Sequence, residues 1–148
     1  AGYLDDDRAT AEALPGDGWL RTGDLARQDS RGDVYIVDRL RDLISYQGHL
    51  VSPAELESLL LALPDVADAA VVGVKDTVSG EEIPKAYVVR RTLTPDDTRS
   101  ADDVASAIED AVNGRVEPRG RIRALEFIAE VPKSATGKIL RHELRARG

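Results

Sequence analysis

The sequence predicts an α+β fold: a small mixed sheet of about three strands flanked by helices, preceded by a two-stranded hairpin and a short antiparallel β meander. Three observations carry that expectation. Val66–Val74 and Lys85–Arg90 are strand-like, apolar runs rich in β-branched residues. Ser52 and Ser100 each open a segment with helical spacing and a cap residue. From Trp19, glycine and aspartate clusters cut the chain into short pieces with turn chemistry between them.

The elements follow in order. Residues 1–18 are polar and turn-rich, with Asp5-Asp6-Asp7 and Pro15-Gly16-Asp17-Gly18 around a short candidate helix. Trp19–Arg21, Leu25–Arg27 and Val34–Val37 form the meander, separated by Gly23-Asp24 and Ser30-Arg31-Gly32-Asp33. Leu43–Tyr46 and His49–Val51 make the hairpin about Gln47-Gly48. Ser52-Pro53-Ala54-Glu55 then gives a helix start, with serine at the N-cap, proline at N1 and glutamate at N3. Leu56, Leu59, Leu60 and Leu63 supply one apolar face, and Pro64-Asp65 stops the helix. After the two long strands, Ser100-Ala101-Asp102-Asp103 caps a second helix with Val104, Ile108, Ala111 and Val112 on its apolar side. A third strand is expected at Ala124–Ile128 and a terminal helix at Ile139–Arg147. From position 42 the expected order is a hairpin followed by β-α-β-β-α-β-α.

Bulk properties narrow the function. The chain has 148 residues, 42% hydrophobic and 32% charged, which suits one domain plus a flanking segment and is too apolar for a disordered tail. A net charge of −7 argues against nucleic acid or an anionic membrane as the main partner. There is no cysteine, hence no thiol chemistry, and no apolar run approaches the roughly 20 residues of a membrane span. A cytoplasmic protein is the default expectation. Methionine is absent even at position 1, so a chain cut from something longer is expected. Only four lysines occur, and Lys133 and Lys138 share one short motif.

Three stretches carry chemistry, and each also has a plain structural reading. Arg21-Thr22-Gly23-Asp24-Leu25 is either a simple β-turn or a carboxylate held on a rigid turn to accept hydrogen bonds from a vicinal diol such as a ribose. Val37-Asp38-Arg39-Leu40-Arg41-Asp42 is either a solvated connection or a cationic hinge, with Arg39 offering a planar fork to phosphate or ribose. Pro132-Lys133-Ser134-Ala135-Thr136-Gly137-Lys138-Ile139-Leu140-Arg141 is a turn-rich loop with one projecting lysine. It is not a P-loop, because Ile139 follows Lys138 where Ser or Thr is required.

In this order, the stretches RTGD, DRLRDLI with YQG, SPAELE and PKSATGKILR resemble the adenylate-forming superfamily, which includes acyl-CoA and aryl-CoA synthetases, beetle luciferases and peptide-synthetase adenylation domains. The wording is most similar to 4-coumarate–CoA-ligase-like acid–CoA ligases. The resemblance implies that residues 1–40 are the terminal β segment of a large adenylating domain and 41–148 a C-terminal lid that rotates over it. It implies ATP, CoA and Mg2+ as cofactors, the last bound mainly by the large domain. It further implies that Lys138 is the catalytic adenylation lysine, with Thr136 and Gly137 supporting its loop. Asp24 and Arg39 are then nucleotide-binding, Arg41 the hinge, and Gly48 with His49 the CoA side. The expected partners are the chain's own N-terminal domain, ATP or AMP, a carboxylic acid and CoA, and the chain alone is expected to lack ligase activity.

Three positions depart from that pattern. Arg41 stands where aspartate or lysine is usual at the hinge, Ser45 where a lysine often precedes the Tyr46 position, and Leu50 where a glutamine is common. The last two leave open an acyl-AMP ligase that does not use CoA. A further reading is an interaction module serving as substrate of a lysine acetyltransferase at Lys138. No metal cluster is read in the sequence, and His49 and His142 are weak candidates for any other chemistry.

Overall fold

The computed structural model describes residues 2–91 and 97–148. These fall into two compact units, divided between Arg41 and Asp42.

The first unit begins with helix α1 (Asp7–Ala13). Asp6 caps it by accepting the Ala9 amide at 2.8 Å. Strands β1 (Asp24–Gln28) and β2 (Val34–Arg39) pair antiparallel, with a register irregularity between Leu25 and Ala26. The expected meander is therefore a single hairpin. Trp19–Arg21 forms no strand; its Arg21 amide bonds instead to the Ala13 carbonyl at 2.9 Å, which ties the segment to the end of α1. The turn at 29–33 is organised by Asp29, whose carboxylate accepts the Arg31 and Asp33 amides at 2.9 and 3.0 Å.

The second unit opens with hairpin β3 (Ile44–Tyr46) and β4 (His49–Val51). Its two-residue turn has φ of 48° at Gln47 and 75° at Gly48, the left-handed pair that a tight hairpin demands and that glycine adopts freely. Helix α2 (Pro53–Leu61) follows directly, so the extra strand expected between hairpin and helix is absent. Ser52 already commits the chain to the helix, its hydroxyl accepting the Glu55 amide at 3.2 Å.

Strands β5 (Val66–Lys75) and β6 (Glu82–Arg90) pair antiparallel. Helix α3 (Ala101–Asn113) then leads to β7 (Ala124–Phe127), which pairs parallel to β6. The sheet order β5-β6-β7 is mixed and three-stranded, as expected. Helix α4 (Arg141–Arg145) is shorter than the expected Ile139–Arg147. Ile139 is taken by a bridge to Lys133, and the Leu140 amide by the Pro132 carbonyl at 2.9 Å, so the helix cannot start before Arg141.

Both faces of the sheet are covered, which is why β5 reads as an almost unbroken apolar run. On one face Ala69, Val71, Ala86 and Val88 pack with Leu56 and Leu60 of α2, Val104, Ile108 and Val112 of α3, and Ile44 and Tyr46 of the hairpin. On the other, Ala70, Val72, Val74 and Tyr87 pack with Val131 and with Leu144 of α4. The buried Tyr87 hydroxyl donates to the Leu144 carbonyl at 3.1 Å and holds α4 down. Among the described residues, no helix is long and apolar enough to cross a membrane.

Candidate functional site

In the first unit, the hairpin makes neighbours of two residues fifteen positions apart. Asp24 and Arg39 are cross-strand partners in the β1–β2 register. Arg39 Nε lies 2.8 Å from Asp24 Oδ1, and its Nη1 reaches the Thr22 carbonyl at 3.5 Å. Oδ1 is buried and, beyond this ion-pair contact, has no hydrogen-bond partner among the described residues. A carboxylate with acceptor capacity left over beside a planar guanidinium is the donor–acceptor set that a ribose diol and a phosphate call for. Arg41 lies in the exposed 3-10 turn Leu40–Asp42, and the division between the two units falls between Arg41 and Asp42.

The lysine loop of the second unit is a closed hairpin. Its legs meet at the Lys133–Ile139 bridge. Inside it, the Ser134 amide donates to the Lys138 carbonyl at 2.8 Å, the Gly137 amide to the Ser134 carbonyl at 2.8 Å, and the Lys138 amide to Ser134 Oγ at 3.2 Å. Thr136 Oγ1 completes the ring at 2.9 Å from Ser134 Oγ. Gly137 has φ of 80° and open space where a Cβ would sit, so conformation rather than crowding calls for glycine there. Lys138 itself is exposed on the second leg, directly after the turn. Thr136 and Gly137 both take part in the internal bonding of the loop, and Ser134 is its organiser, with its amide, carbonyl and hydroxyl all engaged.

Two charge contacts anchor that hairpin. Lys133 Nζ meets Asp68 Oδ2 on β5 at 2.5 Å. Arg141, just after the second leg, forks onto Glu57 of α2, with Nη2 to Oε2 at 3.0 Å and a closer Nη1–Oε1 contact. Arg141 Nη1 also donates to the Val71 carbonyl at 2.7 Å, and the Val71 amide donates to Glu57 Oε1 at 2.8 Å. Glu57 is buried at 8% exposure, although the leucine pattern of α2 gives it no part in the core.

Gly48 and His49 are set apart on the β3–β4 hairpin. His49 Nε2 contacts the Arg119 guanidinium on the 3-10 turn Pro118–Gly120. A cleft of about 390 Å³ opens here, lined by His49, Leu50, Ser52, Glu55, Arg115 and Arg119 among others. The hairpin is pinned from behind by Glu82, whose Oε2 accepts the Ser45 amide at 3.0 Å. Gly48 and Lys138 therefore sit on separately anchored hairpins of one small domain. Among the described residues there is no group of three or more His, Asp or Glu placed to hold a metal ion.

The family model described as the AMP-binding enzyme C-terminal domain matches residues 55–138. Over 146 residues the chain is 47% identical to 4-coumarate–CoA ligase 2 of Oryza sativa subsp. japonica, covering 99% of this chain and 24% of the relative. The chain thus spans about a quarter of the length of the curated relatives it matches. Among solved structures it is similar to the anthranilate CoA ligase AuaEII in complex with anthranoyl-AMP, at TM-score 0.81 and 33% identity, covering 99% of this chain and 27% of that one. It is equally similar to the amide bond synthetase McbA of Marinactinospora thermotolerans, at TM-score 0.81 and 33% identity, covering 99% and 28%.

Proposed function

This chain belongs to the family of AMP-binding enzyme C-terminal domains, and from that premise we propose that it works as the lid of an ATP-dependent acid–CoA ligase. The reaction is carboxylate plus ATP to acyl-AMP and pyrophosphate, then acyl-AMP plus CoA to acyl-CoA and AMP. The observation that carries the reading is the rigid hairpin that presents Lys138 as an exposed ammonium.

Attack of a carboxylate on the α-phosphate brings two anions together. An ammonium placed between them lowers that repulsion as charge builds, a contribution of about 3–4 kcal/mol for a preorganised group of this kind. Asp24 and Arg39, paired with each other here, are suited to the ribose hydroxyls and the phosphate side of the nucleotide. The second step needs a thiol in place of the lysine, and the Gly48 hairpin is the second surface the same domain can bring up. Rotation about Arg41 would exchange the two.

Residues 1–41 support membership of a larger domain. Trp19, Leu20, Val34, Ile36 and Leu40 are all more than half exposed, more apolar surface than so short a unit keeps uncovered by itself. The chain alone is accordingly expected to have no ligase activity. A second acceptor chemistry is favoured by Ser45 and the 68%-exposed Leu50, and the similar McbA is an amide bond synthetase. On that reading an amine replaces the thiol in the second step and adenylation is unchanged. The exposure of Lys138 also suits acetylation by a lysine acetyltransferase, which would remove the charge that adenylation needs.

The test is pyrophosphate exchange by the longer protein containing this segment, over a panel of aryl and fatty acids. Lys138→Ala is expected to lower the exchange rate by about 10²–10³-fold on every acid that supports it. An unchanged rate would remove the lysine from the mechanism.

A further inference from the structure

The lysine hairpin is fixed to the sheet at a place where the backbone would otherwise lack partners. β5 is an edge strand. An edge strand has outward amides and carbonyls with no neighbouring strand to take them. At Val71 both groups are taken by side chains, the amide by Glu57 and the carbonyl by Arg141. The two side chains fork onto each other, closing a three-member ring.

The ring spans the thickness of the domain. Glu57 belongs to α2, which packs on one face of the sheet, and Arg141 opens α4, which packs on the other. They meet around the β5 edge at 11% and 14% side-chain exposure. Lys133 holds the other leg of the hairpin to Asp68, three residues back on the same strand. The loop bearing Lys138 is thus tied to one strand at both legs.

We propose that Glu57 and Arg141 are positioning residues for Lys138: their ion pair, closed through the Val71 backbone, fixes where the lysine hairpin stands against the sheet. The geometry holds whatever Lys138 does, and only its purpose rests on the adenylation reading. Arg141→Lys keeps the charge but loses the fork, so it cannot serve Val71 and both Glu57 oxygens together. Glu57→Gln keeps an acceptor for the Val71 amide but loses the charge that holds Arg141.

Hydrogen exchange on the 148-residue chain reads the geometry. Both variants are expected to raise exchange across residues 133–141 by at least about tenfold while β5 and β6 amides keep their protection. Unchanged exchange in the loop overturns the inference. So does an equal loss throughout the sheet, which would make the pair a general stabiliser. In the longer enzyme, Arg141→Lys is expected to lower kcat for adenylation by about 10–100-fold with little change in KM for ATP, and to spare acyl transfer from supplied acyl-AMP. A loosened loop with normal adenylation, in an enzyme that Lys138→Ala inactivates, also overturns it. If Lys138→Ala is itself without effect, the function reading fails instead, and the exchange result still decides the geometry.

Discussion

Gly73 shows how one residue can set the place of a distant hairpin. It lies inside β5, where a side chain would normally help the core. A Cβ there would overlap the Glu82 carboxyl group, which folds across it. That path lets Glu82 accept the Ser45 amide at 3.0 Å and so hold β3. Gly73→Ala should push Glu82 away and free that amide. The expected cost is about 1 kcal/mol in urea unfolding, below the roughly 1.5–3 kcal/mol usual for a hydrogen bond to a charged group because the site is largely exposed. In a Glu82→Ala background the same substitution should cost much less, and an equal cost in both would contradict the linkage. None of this is legible in the sequence, where Gly73 reads as a gap in a strand and Glu82 as a loop acid. The same holds for Glu57: the leucine spacing of α2 locates Leu56 and Leu60 in the core but says nothing of a buried acid between them. By contrast Gly48 and Gly137 were legible, since the left-handed turns they occupy leave a mark in composition.

Elements are where local sequence chemistry was most reliable. The Ser52 and Ser100 caps both form, the latter with Ser100 Oγ accepting the Asp103 amide at 3.0 Å. Of the four apolar positions of α3, Val104, Ile108 and Val112 are buried and Ala111 is half-buried. Local pattern gives way where a tertiary bond competes with it, as with Arg21 bonding back to Ala13 and Ile139 recruited into the lysine hairpin. One inter-element contact has a pH signature. Arg99, just before α3, forks onto Asp65, just after α2, at 2.6 and 3.1 Å, and also bonds Asp97, which Arg90 contacts as well. Hydrogen bonds from Arg99 hold the Asp65 and Asp97 carboxyls below the ordinary carboxylate value. The folded state therefore binds protons less readily than the unfolded chain. This contribution is complete above about pH 5 and is lost as pH falls through about 4 toward the lower folded values. Arg99→Gln should lower Tm at pH 7, and its gap from wild type should narrow as pH drops from 5 toward 2. A constant gap would assign the effect of Arg99 to packing.

At the scale of the whole molecule, order along the chain carried more than any single motif. RTGD and DRLRDLI are each ambiguous alone, yet the hairpin sets Asp24 opposite Arg39, so two weak signals become one pair. What the sequence could not convey is how one sheet carries both candidate surfaces. β5 bears the anchors of the lysine hairpin at Asp68 and Val71, while Glu82, at the start of β6, bears the anchor of the Gly48 hairpin. On the proposed function, a sheet that anchors both hairpins would let the domain turn as one body with each surface intact, as alternation between two half-reactions requires.

The most direct measurement of the proposed function is therefore a crossed comparison of the two half-reactions in a longer protein containing this segment. Adenylation is followed by pyrophosphate exchange, and acyl transfer to CoA by thioester formation from supplied acyl-AMP. Lys138→Ala should lower the first by about 10²–10³-fold and largely spare the second. Gly48→Asn, which tolerates the left-handed backbone while adding bulk at an open position, should do the reverse. Equal loss of both half-reactions in either variant would contradict a lid that serves one step with each surface.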